Sequence, residues 1–204
     1  MKNLRRYIRS TLLTEVCAGA TAQIQKGLDV IEQRDLRVEV YIDGNDGYDV
    51  ILVSGDGIRR GRFEVTTVKN CPAYSTMWTE VDWNLKKTGV GAVMYDIAVE
   101  VATKLGGHLA CDRGSVSDSA KRMWRYYTSS DDYEAFQLDT PDSTFTPIKS
   151  DDCQQYIFHR ETKLYSGDEG FEQEFMASPF TKAFRKKKIT TIPCLGNRYS
   201  EIRV

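Results

Sequence analysis

This chain of 204 residues has little histidine, no closely paired cysteines and no long apolar run. Its five cysteines share long, nearly even gaps and include no C-x-x-C pair. They are Cys17, Cys71, Cys111, Cys153 and Cys194. An odd number at such spacing favours free thiols in a reducing compartment over a disulfide scaffold or a zinc site. The two histidines, His108 and His159, have no metal-ligand motif around them, so we expect no bound metal.

Several classes of protein are disfavoured by what else is missing. No stretch approaches the apolar length that a membrane-spanning helix needs, and the first nine residues lack the apolar core of a secretory signal, so we expect a cytoplasmic protein. Lys and Arg number 28 against 29 for Asp and Glu. This balance gives no global attraction to nucleic acid or to a membrane. The length and the 41% hydrophobic content suit one globular domain with a sizeable core.

The most informative segment is residues 86–92, with the sequence Lys-Lys-Thr-Gly-Val-Gly-Ala, which joins a predicted strand at 74–83 to a predicted helix. At a helix N-terminus, free N–H groups and the positive end of the helix dipole together favour an anion such as phosphate. Gly89 and Gly91 let the backbone approach that anion closely because they carry no Cβ. A glycine pair alone is weak evidence, but this one has the strand before it and the helix after it that such motifs require.

The helix after the turn is indicated by apolar residues at steps of four, three, four and four. They are Val90, Met94, Ile97, Val101 and Leu105. This spacing forms one face of a helix. Asp96, Glu100 and Lys104 lie elsewhere on it, and Glu100 and Lys104 make a favourable i,i+4 pair. Gly106-Gly107 is expected to end the helix, and a strand at 108–112 completes a β–turn–α–β unit with a parallel crossover.

The remaining elements are read from periodicity and turn residues. Before the turn we predict an opening amphipathic helix, a second helix at 21–33, and strands at 37–42, 48–53 and 60–68, which form an antiparallel meander with 74–83. After it we predict a helix capped by Ser117 or Asp118, strands at 133–138 and 154–159, a loop at 139–147 and a short helix within 165–177. This order of elements predicts an α+β or mixed α/β fold.

These motifs resemble the GNAT superfamily of N-acetyltransferases. Its acyl-CoA signature, Arg/Gln-x-x-Gly-x-Gly/Ala, is similar to Lys86-x-x-Gly89-x-Gly91, with lysine at the first position. Val81-Asp82-Trp83 stands where the family has Val-x-Pro. Ser117-x-x-Ala120-x-x-Met123-Trp124 has the shape of the family's second-helix opening, Asn-x-x-Ala-x-x-Leu-Tyr. The resemblance covers roughly residues 74–132, and the long divergent tail also resembles GNAT-like proteins of bacteriophages.

The resemblance implies a GNAT-like acyl-CoA N-acyltransferase fold, with a central mixed, mostly antiparallel sheet flanked by helices. It implies an acyl-CoA-binding core at 1–138 and a divergent extension at 139–204 packed on the same domain. The strand before the turn should splay from its neighbour and pair with the pantetheine arm of acetyl-CoA, the co-substrate. The implied cofactor-binding residues are Val81, Asp82, Trp83, Lys86, Lys87, Thr88, Gly89, Val90, Gly91, Ala92 and Ser117.

The implied reaction is transfer of an acetyl group from acetyl-CoA to a primary amine, by direct attack in a ternary complex. In many relatives the tyrosine that aligns with Trp124 protonates the leaving thiolate, which tryptophan cannot do. Tyr126 and Tyr127 are therefore the candidate general acids, and they lie on different helix faces.

Other functions stay open at this point. The tryptophans at 83 and 124 favour, as the alternative, a catalytically silent scaffold or interaction protein, either viral and structural or inhibiting a host enzyme. The basic run at 185–188 is more typical of a solvated face than of a nucleic-acid site. We therefore expect an acyl-CoA and an amine acceptor as partners, with no nucleic acid and no membrane; a homodimer is compatible with this reading.

Overall fold

The computed structural model describes residue 17 and residues 21–44, 46–67, 73–112, 114–138, 156–165 and 167–204. The helices are α1 (Ala22–Gln33), α2 (Val90–Lys104), α3 (Asp118–Ser129), α4 (Tyr156–Thr162), α5 (Phe171–Ala177) and α6 (Thr191–Leu195). The strands are β1 (Leu36–Asp43), β2 (Gly47–Ser54), β3 (Arg59–Thr67), β4 (Tyr74–Val81), β5 (Leu109–Ala110), β6 (Tyr133–Gln137), β7 (Lys182–Lys186) and β8 (Tyr199–Arg203). The predicted opening helix and the predicted loop at 139–147 lie outside the described residues.

The described strands form one mixed sheet in the order β6-β7-β5-β4-β3-β2-β1-β8. Strands β1 to β4 make the predicted antiparallel meander, whereas β4 with β5 and β1 with β8 are parallel pairs. The predicted fold class, a mixed and mostly antiparallel sheet flanked by helices, is confirmed. Strand β7 comes from the segment predicted as an extension, yet it lies between β5 and β6. The C-terminal segment therefore completes the sheet.

Helix α2 is the centre of the core and covers the inner face of the sheet. In β1 the buried residues are Leu36, Val38, Val40 and Ile42, the alternation expected of a strand with one covered face. Twelve of the fifteen residues of α2 are buried, so this helix is enclosed on nearly all sides and is not a helix with one apolar face. Helix α1, capped by Thr21, packs Ile24, Leu28 and Ile31 into the same core.

Two charged residues of α2 are fully buried, contrary to the predicted polar face. Asp96 and Glu100 are both 0% exposed. Lys186 of β7 binds both carboxylates, with Nζ 2.8 Å from Glu100 Oε1, and the Tyr133 hydroxyl donates to Asp96. Burial opposes the charge of Lys186, but the two carboxylates outweigh it and raise its pKa. A buried charge is tolerated when it is paired and hydrogen-bonded in this way.

The Glu100 carboxylate also caps the N-terminus of helix α6. It accepts the backbone N–H groups of Thr190, Thr191 and Ile192 at 2.6, 2.7 and 2.7 Å, which are donors left over at a helix N-terminus. The predicted Glu100–Lys104 pair is therefore wrong, and Lys104 binds Glu201 of β8 instead. These hydrogen bonds attach helix α6 of the C-terminal segment to helix α2 in the core.

Two further predictions can be compared with the described residues. The predicted strand at 154–159 is wrong, because helix α4 begins at Tyr156. The predicted free thiols are wrong for Cys17 and Cys194, which form a disulfide, while Cys111 is a buried thiol; the other two cysteines lie outside the described residues. Among the described helices, none has the length and apolar character to cross a membrane.

Replacing Lys186 with methionine should lower the free energy of unfolding by about 3–5 kcal/mol, because two buried carboxylates lose their cation. Lys187→Met is the matched control, since Lys187 is exposed and its loss should cost less than about 0.5 kcal/mol. Urea denaturation near neutral pH measures both. Because the pKa of Lys186 is raised, its stabilising effect should be complete at neutral pH and be lost only as the pH rises through that raised pKa. Equal stability of the two variants would contradict the ionic cluster.

Candidate active site

Strands β4 and β5 separate almost as soon as they have paired. They are joined only at Tyr74 with Leu109 and at Ser75 with Ala110. Strand β5 ends there, whereas β4 continues to Val81. The Thr76 hydroxyl still donates to the Ala110 carbonyl oxygen at 3.1 Å, which closes the narrow end. Beyond Ser75 no described strand pairs with this side of β4, as the splay predicted for this strand requires, and we call this unpaired edge of β4 the gap.

The backbone of β4 has polar groups directed into this gap. The Asp82 N–H donates to the carbonyl oxygen of Arg60 on β3 at 2.8 Å. Pairs with and without hydrogen bonds alternate along an antiparallel ladder, so the main-chain groups of Val81 and Thr79 point away from β3. The register with β3 shifts at Met77, a β-bulge. Of the predicted residues, Val81 thus faces the gap, while the Asp82 amide is already bonded to β3.

The turn after β4 ends in a helix N-terminus with free donors. Lys87 and Gly89 have positive φ angles of 63° and 95°. The first hydrogen bond of α2 runs from the Val93 N–H to the Gly89 carbonyl oxygen at 3.1 Å. The three preceding amides have no acceptor in the described part of the chain. These amides belong to Val90, Gly91 and Ala92.

The two glycines of the turn have different surroundings. A Cβ on Gly89 would lie 2.6 Å from the carbonyl oxygen of Gln23 and 2.7 Å from the nitrogen of Gly27, both in α1. Glycine at 89 is therefore required by helix packing and by its left-handed backbone, and its predicted contact with an anion stays a prediction. A Cβ on Gly91 would meet no heavy atom of the described chain within 4 Å. Open space thus lies over Gly91, next to the free amides.

Three lysines surround the turn. Lys86 and Lys87 were expected from the sequence, whereas Lys26 of α1 was missed because only folding brings it to the turn. Lys26 Nζ donates to the Lys87 carbonyl oxygen at 3.4 Å. All three are exposed, and none forms a salt bridge within the described residues. Unpaired cations beside free amides favour an anion.

The two predicted general acids have contrasting environments. Tyr127 is 1% exposed, packs among Trp124 and Phe184, and has no hydrogen-bond partner for its hydroxyl among the described residues. Burial raises its pKa well above the usual value. Tyr126 is partly exposed, and its hydroxyl oxygen accepts from Ser130 Oγ at 3.4 Å. Tyr127 therefore belongs to the core, as does Trp124 at 1% exposure.

A tyrosine that the sequence reasoning did not single out lies on α2. Tyr95 is 8% exposed and meets the Phe63 ring edge-on at 4.5 Å between centroids. Burial raises the pKa of Tyr95 to about 12. Of its neighbours, the Thr79 hydroxyl lowers this pKa, whereas Cys111 and Asp112 raise it. These neighbours belong to β4 and to the chain just after β5, the two segments whose pairing ends at Ser75.

The remaining predicted site residues have other contacts. Ser117 caps α3, its hydroxyl accepting from the Ala120 N–H at 3.3 Å. The Thr88 hydroxyl donates to the Leu85 carbonyl oxygen at 2.6 Å, and Trp83 is 84% exposed. No cluster of three or more potential metal ligands occurs among the described residues.

Two of the four residues in the basic run at 185–188 form ion pairs with carboxylates. Arg185 pairs with Glu134 at 2.5 Å, and Lys186 is buried with its two carboxylates. This run is not a free cationic surface.

No protein-family model matches this sequence, and no curated protein matches it at a significant level. Among solved structures, an IAA acetyltransferase from Bacillus cereus is similar, with 21% identity and a TM-score of 0.34 over 47% of this chain. The match spans 61% of that protein, less than two thirds of its length. A GNAT-family acetyltransferase from Staphylococcus aureus has 12% identity and a TM-score of 0.36 over 83% of this chain and 82% of its own.

A protein assigned as an acyl-CoA N-acyltransferase, from Klebsiella pneumoniae, has 10% identity and a TM-score of 0.35 over 65% of this chain and 86% of its own. All three are acetyl- or acyltransferases, the class that the sequence resembles. At these identities and TM-scores the likeness carries no argument about activity.

Replacing Gly91 with leucine should abolish the stabilisation of this protein by acetyl-CoA without lowering its melting temperature in the absence of ligand. The added side chain extends into the open space over the turn, where a Cβ meets no described heavy atom within 4 Å. Gly91→Ala is the control, because a single Cβ leaves most of that space. Thermal unfolding with and without acetyl-CoA measures both variants; normal stabilisation of the leucine variant would mean that the ligand lies elsewhere.

Gly89→Ala should instead destabilise the ligand-free protein, by about 1–3 kcal/mol. Its Cβ meets the backbone of α1 and its backbone is left-handed, so neither problem is relieved without moving the helix. Chemical denaturation without ligand measures this effect. An alanine variant as stable as the wild type would show that α1 does not pack on the turn.

Proposed function

We propose that this protein is an N-acyltransferase that takes the acetyl group of acetyl-CoA and transfers it to a primary amine. The observation that carries this proposal is the continuity of two features. The gap beside β4 leads directly into a turn whose helix amides are free. Together they match the two parts of coenzyme A, an amide-bearing arm and a diphosphate.

The proposed donor position uses main-chain groups for most of its contacts. The pantetheine arm lies along β4 and pairs with Thr79 and Val81, which have backbone groups to spare. The diphosphate lies on the first amides of α2, where donors and the helix dipole act together. Lys86, Lys87 and Lys26 add positive charge around it. Trp83 and Ser117 keep their implied roles as predictions.

The proposed reaction is a direct attack of the neutral amine on the thioester carbonyl carbon. Holding both partners in line can contribute roughly 7–11 kcal/mol at best. A main-chain N–H of the splayed strand can stabilise the oxyanion, worth about 3–4 kcal/mol in other acyl transfers. Cys111 lies just after β5, but burial raises the pKa of its thiol. A buried thiol is a poor covalent carrier, since the thiolate is the nucleophile, which supports a ternary complex.

A second candidate function is supported by an exposed apolar surface. Met77, Trp78 and Trp83 are 50%, 58% and 84% exposed, and all belong to β4 or the turn after it. Exposed large apolar residues in proximity mark interaction surfaces. The alternative is therefore a catalytically silent interaction protein with this fold, viral and structural or inhibiting a host enzyme. A bacteriophage source, a cytoplasmic location and a homodimer stay predictions.

Acetyl-CoA at one hundred times its dissociation constant should stabilise the protein by about 2.7 kcal/mol. Thiol release from acetyl-CoA should accelerate with at least one amine among a polyamine, a lysine-containing peptide and a peptide with a free N-terminus.

The double variant Lys86→Ala/Lys87→Ala should weaken binding of acetyl-CoA, and Lys187→Ala, which removes an exposed lysine elsewhere, should not. Binding without thiol release from any amine would favour the silent alternative, and absence of binding would refute the donor site.

A further inference from the structure

The acyl transfer proposed above needs a proton donor for the leaving thiolate, and no residue has yet been assigned to it. When the carbon–sulfur bond breaks, its electron pair goes to sulfur, and the thiolate must acquire a proton. A positioned acid assists such a departure. Trp124 has no usable acidic proton, and Tyr127 beside it is enclosed in the core. This inference rests on the proposed function and concerns the group that supplies the proton.

Tyr95 is on the helix face that leads from the turn to the gap. It follows Gly91 by four residues, so the two lie on the same side of α2, one turn apart. Gly91 is the residue with open space above it. A ligand that contacts the turn at Gly91 and continues along β4 must therefore pass the position of Tyr95.

The ring of Tyr95 is fixed from two sides. Phe63 meets it edge-on at 4.5 Å and Trp124 at 5.9 Å between centroids. Trp124 therefore fills the core behind Tyr95, so the tryptophan positions the tyrosine. Unlike Tyr127, which is 1% exposed, Tyr95 keeps 8% of its surface exposed.

The hydroxyl of Tyr95 is next to a second hydroxyl with spare capacity. The Thr79 hydroxyl oxygen is buried and has no hydrogen-bond partner within the described residues, and the Thr79 hydroxyl lowers the pKa of Tyr95. Thr79 faces α2 because it pairs with the buried Phe63 across β3 and β4. Its main chain points into the gap, and its side chain is on the face of the sheet where the Tyr95 ring meets Phe63.

We propose that the Tyr95 hydroxyl protonates the sulfur of the departing coenzyme A thiolate. The amine lone pair attacks the carbonyl carbon, a carbon–nitrogen bond forms, and the carbon–sulfur pair moves to sulfur, which takes the tyrosine proton. The tyrosinate then recovers a proton, through the solvent, from the acylated nitrogen. The products are an amide and free coenzyme A thiol, and nothing is oxidised or reduced. Tyr95 is then a catalytic residue, and Thr79 supports its hydroxyl.

The test is Tyr95→Phe, which removes one oxygen and keeps the ring contacts with Phe63 and Trp124. With acetyl-CoA and the amine that gives the fastest thiol release, kcat should fall by about 100-fold or more. The KM for acetyl-CoA and the thermal stabilisation by acetyl-CoA should stay as in the wild type. Tyr41→Phe is the matched control, because it removes a tyrosine hydroxyl from β1, which β2 and β3 separate from β4, and its kcat should be unchanged.

The possible outcomes distinguish failure of the proton-donor assignment from failure of the proposed function. A wild-type protein that releases no thiol with any amine overturns the proposed function, and the proton donor with it. An active wild type with normal kcat in Tyr95→Phe overturns the proton donor alone. Loss of acetyl-CoA stabilisation in Tyr95→Phe would make the residue a binding or structural one and would also overturn it.

Discussion

The contact between Gly27 of α1 and Gly89 of the turn is the constraint on which the candidate site depends. A Cβ on Gly27 would lie 2.5 Å from the Gly89 carbonyl oxygen, so the two backbones touch. Only glycine at both positions permits this approach. The turn is therefore supported from behind by α1, and its free amides are left on the outer side. The same packing brings Lys26 to the turn, and Arg34 donates to the Asn84 carbonyl oxygen at 3.4 Å.

Helix α2 is held along its length as well as at its start. Asp96 and Glu100 bind Lys186 of β7, and Lys104 binds Glu201 of β8. Both strands come from the end of the chain, so the C-terminal segment fixes the helix that presents the turn. Strand β7 also pairs with β5 on the side away from β4. Because β7 holds β5 there, β4 can diverge from β5 without loss of the sheet.

The sequence predicted the parts of this structure that depend on local pattern. The meander, the glycine turn and α2 follow from alternation, turn residues and helical spacing, each of which acts over a few residues. It failed for Asp96 and Glu100, because charged residues are exposed by default and their partner Lys186 is distant in the chain. The disulfide spans 177 residues, and the contact that explains Gly89 spans two elements. Long-range partners of this kind leave no local signal.

Strand alternation also separates the two candidate functions on β4. Thr79 faces α2, so its neighbours Trp78 and Glu80 point to the opposite face of the sheet. Trp78 is opposite Glu64 there and is largely exposed. The exposed side chain of Trp78 and the side chain of Thr79 thus belong to different faces of one strand. A partner bound to the face that carries Trp78 would not occupy the proposed position of the acyl donor, so exposure of Trp78 is compatible with the proposed catalysis and does not by itself favour a silent protein.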